Sequence, residues 1–188
     1  MARSILALHG SPRKNGNSIC WAQEALHAAE KSKARVEQVY LHGMDIAPCK
    51  GCDSCRKDIK GRCMIKDDMQ QLYEKVINAD ALLLSSPVYW FTYSAQLKLF
   101  IDRLYAVQTE RLTALKGKKI GIILAYGDVD PFSSGAANAV RSFQDAFSYT
   151  QSQITGIVCG TGGAAGEARK NKVALQQSRE LGSKLASA

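Results

Sequence analysis

Ile5-Leu-Ala-Leu-His-Gly-Ser-Pro-Arg-Lys-Asn-Gly-Asn-Ser18 is the stretch from which the fold of this chain can be read. Ile5, Leu6, Ala7 and Leu8 form a short apolar run of the kind that a parallel strand covered on both faces requires. The residues from Gly10 to Ser18 are small, polar and basic, and a helical pattern follows them. A strand, a hydroxyl-rich loop and a helix start in that order make an anion site, because loop amides and first-turn N–H groups converge at the positive end of the helix dipole. The P-loop pattern fails, since Gly10 and Gly16 enclose one residue too many and Asn17 stands where its lysine belongs. The dinucleotide fingerprint Gly-x-Gly-x-x-Gly is also missing here. The loop suits a single terminal phosphate, as in a mononucleotide; a polar turn with a Ser or Asn cap is the competing reading.

Working outward, a helix is expected from Ser18 to about Ser32, with Ile19, Ala22, Ala25, Leu26 and Ala29 on its apolar face. Arg35 to Leu41 reads as a second strand with Val36 and Val39 as core candidates. Residues 43–66 show no period. Asp67 can cap a helix whose inner face is Met69, Leu72, Tyr73, Val76 and Ile77. Ala81 to Leu84 is a third strand ending at Ser85-Ser86-Pro87, and Ala95 to Val107 a third helix with Leu97, Phe100, Ile101 and Leu104 inward. A fourth strand spans Lys118 to Tyr126, a helix Ala136 to Tyr149 (Val140, Phe143 and Phe147 inward), a fifth strand Ile154 to Cys159, and a last helix Glu167 to about Leu185.

Alternation of five strands with five helices implies a parallel sheet between two helical layers, an α/β three-layer sandwich. The flavodoxin-like strand order 2-1-3-4-5 is expected, with the ligand at the carboxyl ends of the strands. The loops Gly10–Ser18, Pro87–Tyr93 and Tyr126–Gly135 should then meet. Aromatic residues Tyr89, Trp90 and Phe91 beside a phosphate cradle suit a flat conjugated ring. They could equally pack on a second subunit. Gly160-Thr-Gly-Gly-Ala-Ala-Gly166 only superficially resembles a dinucleotide motif and reads as a flexible loop near the acceptor pocket.

With 188 residues, 46% hydrophobic and 22% charged, the chain is expected to be one domain, with residues 43–66 as a cysteine-bearing insertion. No apolar run is long enough to span a bilayer and no signal peptide is legible, so a cytoplasmic protein is expected. The formal charge of +8 is scattered over the chain, without the aromatic interleaving of a nucleic-acid platform. It suits small anionic substrates equally well.

Of six cysteines, Cys20 and Cys159 are isolated and read as buried packing. The other four form Cys49-x2-Cys52-x2-Cys55, with Cys63 seven intervening residues further on. Three thiolates from one turn plus a later fourth is the pattern of a [4Fe–4S] cluster. Free thiols and zinc remain alternatives, zinc being more usual with two separated knuckles. Arg56, Lys57, Lys60, Arg62 and Lys66 could offset the cluster's charge or attract the extra phosphate of NADPH.

Gly10-Ser-Pro-Arg-Lys-Asn-Gly-Asn-Ser18, Ser86-Pro87-Val-Tyr-Trp90 and Leu97-Lys-Leu-Phe-Ile-Asp-Arg103, in this order, resemble the marks of the flavodoxin-like NAD(P)H-dependent FMN reductases. The cysteine loop between them is similar to that of the iron–sulfur flavoprotein branch. The resemblance implies FMN, its phosphate held by Ser11, Arg13, Asn17 and Ser18. It implies an isoalloxazine held by Pro87, Val88, Tyr89, Trp90 and Phe91 and by Tyr126 and Gly127. Asp102 and Arg103 are expected to form a structural ion pair at a helix end or interface. The resemblance further implies NAD(P)H as co-substrate, a small acceptor (quinone, free flavin, metal ion or aromatic compound) and a homodimer or homotetramer. His9, His27 and His42 are expected to be structural, and no catalytic side chain is nominated, because a flavin carries the hard chemistry itself. A non-enzymatic flavodoxin-like carrier and a basic nucleic-acid-binding domain are the readings from other classes.

Overall fold

The computed structural model describes residues 2–58, 63–110 and 112–187. Five parallel strands, β1 (Ser4–His9), β2 (Arg35–Tyr40), β3 (Ala81–Tyr89), β5 (Lys119–Tyr126) and β6 (Gln153–Thr161), lie in the order β2-β1-β3-β5-β6. A two-residue strand, β4 (Thr92–Tyr93), turns back antiparallel on the end of β3. The expected flavodoxin-like order holds, with β4 as an addition.

Strand alternation explains the layers. Ile5 and Ala7 of β1, with Ala81 and Leu83 of β3, face a core shared with α1 (Asn17–Lys31) and α6 (Lys172–Ala186). Leu6, Leu8, Leu82 and Leu84 face the opposite core under α3 (Met69–Asn78), α4 (Ala95–Arg103) and α5 (Ala136–Tyr149). A one-turn helix, α2 (Ser54–Lys57), lies in the cysteine loop. Among the described residues no helix is long and apolar enough to cross a membrane.

Several boundaries differ from the expectation. β3 runs five residues past Leu84, because Ser85, Ser86 and Pro87 still pair with Ile123, Leu124 and Ala125 of β5. The helix expected to Val107 tightens to a 3-10 turn from Leu104, and the last helix is split by Asn171, which caps α6 through Ala174 N–H at 3.0 Å. Val36 and Val39 are only half-buried, since β2 is the sheet edge.

Candidate functional site

The end of β1, the end of β3 and the start of α4 are sewn together by two serines. Ser94 Oγ donates to the Gly10 carbonyl (2.7 Å), and Ser86 Oγ accepts from Ser94 N–H (2.9 Å) while donating to the Pro87 carbonyl (2.8 Å). A Cβ on Gly10 would stand 2.6 Å from Ser94 Oγ, so only glycine admits this contact. Directly beneath, His9 is fully buried. Its Nε2 donates to Gln38 Oε1 (3.1 Å), which leaves Nδ1 to accept from the Ser85 hydroxyl at 2.7 Å. That tautomer follows from the network, Gln38 Oε1 being an acceptor for Gln23 as well.

Burial pushes the His9 pKa below its usual 6.5, with the Gln38 hydrogen bond working against it. The unfolded chain therefore binds the extra proton first. The resulting stability is full above pH 6.5 and is lost as pH falls through the folded-state value. Urea unfolding should show a loss towards pH 5, with a slope of at most about 1.4 kcal/mol per pH unit from this one proton. A His9→Gln variant should flatten that part of the curve, and an unchanged slope would exclude His9 as its source.

Above this floor lies a cleft of about 240 Å³ at the carboxyl ends of β1, β3, β5 and β6. Ser11, Arg13, Gly16 and Asn17 form one wall, Pro87, Val88 and Tyr89 a second, and Ala125, Tyr126 and Gly127 a third; Gly162 and Gly163 complete it. A hollow of about 380 Å³ lies away from this junction beside Glu74, and one of about 830 Å³ lies on the outer side of α1, bordered by Lys14 and Asn15 of the same loop. The cleft is where a doubly wound sheet binds its ligand.

Ser11 Oγ accepts from Arg13 N–H and donates to the Arg13 carbonyl, both at 3.1 Å, which curls the loop. No side chain caps α1, whose N-cap is Gly16. The first bond into the helix is Cys20 N–H to the Gly16 carbonyl at 3.0 Å. Among the described residues, the N–H groups of Asn17, Ser18 and Ile19 therefore have no main-chain acceptor. These donors and the helix dipole suit a phosphate.

The side chains depart from expectation in three places. Asn17 spends both amide hydrogens on the carbonyls of Gly162 (2.6 Å) and Ala164 (3.0 Å), and its oxygen accepts from Ala168 N–H (3.0 Å). It is a bridge to the glycine loop, and what it can offer a phosphate is its main-chain N–H. Ser18 is 1% exposed and does not line the cleft. Trp90 is 92% exposed and, like Phe91, lies outside the cleft wall. Both sit at positive φ (47° and 65°) in the turn between β3 and β4, a conformation bulky residues rarely adopt.

The glycine loop after β6, expected to be flexible and near the acceptor pocket, forms a wall of the cleft through Gly162 and Gly163. Its Gly162 N–H donates to the Tyr126 carbonyl (2.7 Å), and Glu167 Oε2 accepts from Gly163 and Ala164 N–H at 3.0 Å each. A Cβ on Gly162 would lie 2.7 Å from Asn17 Nδ2, whereas one on Gly127 would meet only Gly163 Cα at 3.8 Å. The slot is thus walled by backbone and open to a flat ligand. The available signal was the position of the loop on the strand next to β5.

These features have close counterparts among known proteins. The model of the NADPH-dependent FMN reductases matches residues 3–158. The chain belongs to this family. An iron–sulfur flavoprotein of Archaeoglobus fulgidus is 35% identical over 95% of this chain and 77% of its own length. One from Methanocaldococcus jannaschii is 29% identical over 97% of this chain and 95% of its own. The solved NAD(P)H:quinone oxidoreductase of Methanothermobacter marburgensis superposes with a TM-score of 0.75 at 18% identity, covering 98% of this chain and 100% of that one. This FMN reductase is therefore an NAD(P)H-dependent flavin oxidoreductase of flavodoxin-like fold, with FMN as its cofactor and the iron–sulfur flavoproteins as its branch.

The reductase carries its cysteine loop on the α3–α4 side. Cys55 is buried, Cys63 half-buried, and Cys49 and Cys52 exposed. Burial raises the Cys55 pKa, and the charges of Cys63, Cys49 and Cys52 add to the shift. Hydrogen bonds from Ser54 lower that of Cys52. Gly51 (φ 62°) and Asp53 (φ 54°) turn the chain between Cys49 and Cys55. Among the described residues no three His, Cys, Asp or Glu side chains are already arranged around a metal position. The donor set, four thiols on one loop, fits an iron–sulfur group in number and chemistry. Arg56 is bonded to Glu110 (2.6 Å) and Tyr105 (3.4 Å); Lys60 and Arg62 lie outside the described residues. Cys20 and Cys159 are half-buried against the two cores, and burial pushes the Cys159 thiol up to about 11.

Asp102 and Arg103 do not pair with each other. Asp102 takes Lys98 on the surface (2.6 Å), while Arg103 turns inward to Asp67. Asp67 does accept from Met69 N–H (3.1 Å), as a cap would, but its main partner is that guanidinium. Burial works against the Asp67 charge, yet the Arg103 hydrogen bonds and the Ala47 and Met69 N–H groups hold its carboxyl below the usual range.

Proposed function

We propose that the cleft between the loops after β1, β3, β5 and β6 seats FMN, and that the enzyme passes electrons from NAD(P)H to a small acceptor of the quinone, free-flavin, metal-ion or aromatic class. The observation that carries this reading is the uncapped amino end of α1 opening into a backbone-walled slot. The N–H groups of Asn17, Ser18 and Ile19, with Ser11 and Arg13, would hold the phosphate. Pro87, Val88, Tyr89, Tyr126 and Gly127 would border the ring, and main-chain donors beside it would stabilise negative charge. When bound, FMN supplies the hydride acceptor and the route to one- or two-electron donation. The protein binds it, orients it and leaves one face open for the nicotinamide.

The exposed aromatic turn at Trp90 and Phe91 follows Tyr89 of the slot wall, and a second copy of the chain covering it would form a homodimer or homotetramer. Cys49, Cys52, Cys55 and Cys63 would hold a [4Fe–4S] cluster, which supplies single-electron transfer. Such thiols stay reduced in a cytoplasmic setting.

Protein purified without oxygen should show flavin absorption with a broad shoulder from the cluster, and it should oxidise NADPH in the presence of a quinone. Ser11→Ala should weaken FMN binding about tenfold, the effect of losing one hydrogen bond to a charged group once the hydroxyl turns from the Arg13 carbonyl to the phosphate. The riboflavin affinity of the same variant should move far less. A colourless preparation that takes up no FMN would overturn the assignment of the cleft.

A further inference from the structure

Both feet of the cysteine loop stand on one buried cation. Arg103 ends α4 with its side chain 1% exposed. Its Nη1 donates to the Ala47 carbonyl (2.8 Å) and to Asp67 Oδ2 (2.5 Å), and Nη2 donates to Asp67 Oδ1 (3.1 Å). Asp67 Oδ2 accepts in turn from Ala47 N–H at 3.0 Å. Ala47 lies just before Cys49 and Asp67 just after Cys63, so the guanidinium closes the loop at both ends. A planar fork can do this, whereas an ammonium group cannot reach two partners in fixed directions.

The same cation also governs the far thiol. Arg103 Nε donates to the Tyr73 hydroxyl (3.2 Å). That bond leaves the phenolic hydrogen of Tyr73 free to turn to another acceptor, and Cys63 packs against the core cluster that contains Tyr73. Gln70 Nε2 holds the following chain through the carbonyls of Cys63 (3.1 Å) and Ile65 (2.6 Å). A buried ion pair adds little net stability over apolar packing of equal volume. What it adds here is direction, two chain positions locked in register.

We propose that Arg103 and Tyr73 are positioning residues for the thiol loop: Arg103 joins its two feet, and Tyr73 hydrogen-bonds the Cys63 sulfur, so that Cys63 is set for a cluster before metal arrives. This rests on the reading of the cysteine loop as a cluster site. A hydrogen bond to a ligand sulfur stabilises the reduced, more negative cluster and so raises its potential.

Two variants and two readouts test it. In metal-free protein loaded with FMN, Arg103→Lys should speed amide hydrogen exchange in residues 44–58 and 63–68 at least tenfold, with β5 as the unchanged control. After anaerobic reconstitution with ferrous iron and sulfide, Tyr73→Phe, which keeps the ion pair and the ring, should lower the electron affinity of the cluster at least tenfold. For a one-electron couple that is about 59 mV in midpoint potential. Unchanged exchange in the Arg103 variant overturns the positioning role, whether or not the wild type takes up iron. An unchanged potential in the Tyr73 variant overturns the sulfur hydrogen bond. A wild type that binds no iron while Arg103→Lys still loosens the loop sinks the cluster reading and supports the positioning of the loop.

Discussion

Replacing Gly182 by alanine should destabilise the protein by about 3 kcal/mol, at the upper end for overpacking a core. Gly182 lies inside α6 where that helix crosses α1. A Cβ there would stand 1.8 Å from the Ala25 carbonyl oxygen and 2.6 Å from its carbon. The obstacle is backbone, so no rotamer change relieves it and the helices must part. The gain of about 1 kcal/mol for alanine over glycine in a helix interior is too small to offset this. Thermal unfolding should begin some 6–12 °C lower, taking about 2–4 °C per kcal/mol for a chain of this size. Ser183→Ala, one residue on and exposed, is the control. An unshifted midpoint for Gly182→Ala would mean that the two helices do not cross this closely. The consequence reaches the cleft, because α1 carries the unbonded N–H groups of Asn17, Ser18 and Ile19 at its amino end.

Asn17→Ala should weaken FMN binding about 100-fold, equivalent to ~3 kcal/mol for three hydrogen bonds lost at about 1 kcal/mol each. The loss arises through position. Without the amide, the Gly162 and Ala164 carbonyls and the Ala168 N–H lose their partner, and the wall from Gly162 to Ala168 loosens. Riboflavin, which lacks the phosphate, should therefore be weakened too, in contrast to the Ser11 variant. Flavin fluorescence titrations of the two ligands separate the cases. An FMN affinity within twofold of wild type would show that this bridge does not shape the site. A loss confined to FMN would show instead that the Asn17 side chain binds phosphate directly.

The contrast between these two residues shows what was legible. Gly10–Ser18 was readable because a strand, a polar loop and a helix start lie next to one another in the chain, and the anion site is local. The family resemblance implies Asn17 as a phosphate ligand. Its real partners lie at Gly162 to Ala168, across the sheet, and no local pattern announces them. The pairing of Asp102 with Arg103 failed for the same reason, since the partner of Arg103 is Asp67, on another element. The extent of β3 was underestimated because Ser85, Ser86 and Pro87 look like a strand end, whereas their pairing with β5 carries the strand onward. Here tertiary pairing outweighs local propensity.

Taken alone, the order of residues determined the layers, the strand sequence and the place of the ligand cleft, because side-chain periodicity and right-handed crossovers leave one compact arrangement. It also marked the four thiols as a group. Only the folded chain decided which donors around the cleft are free, that the glycine loop after β6 closes it, and that Arg103 holds both feet of the cysteine loop. Those are contacts between distant segments, and a hydrogen bond is set by where two groups come to rest in space.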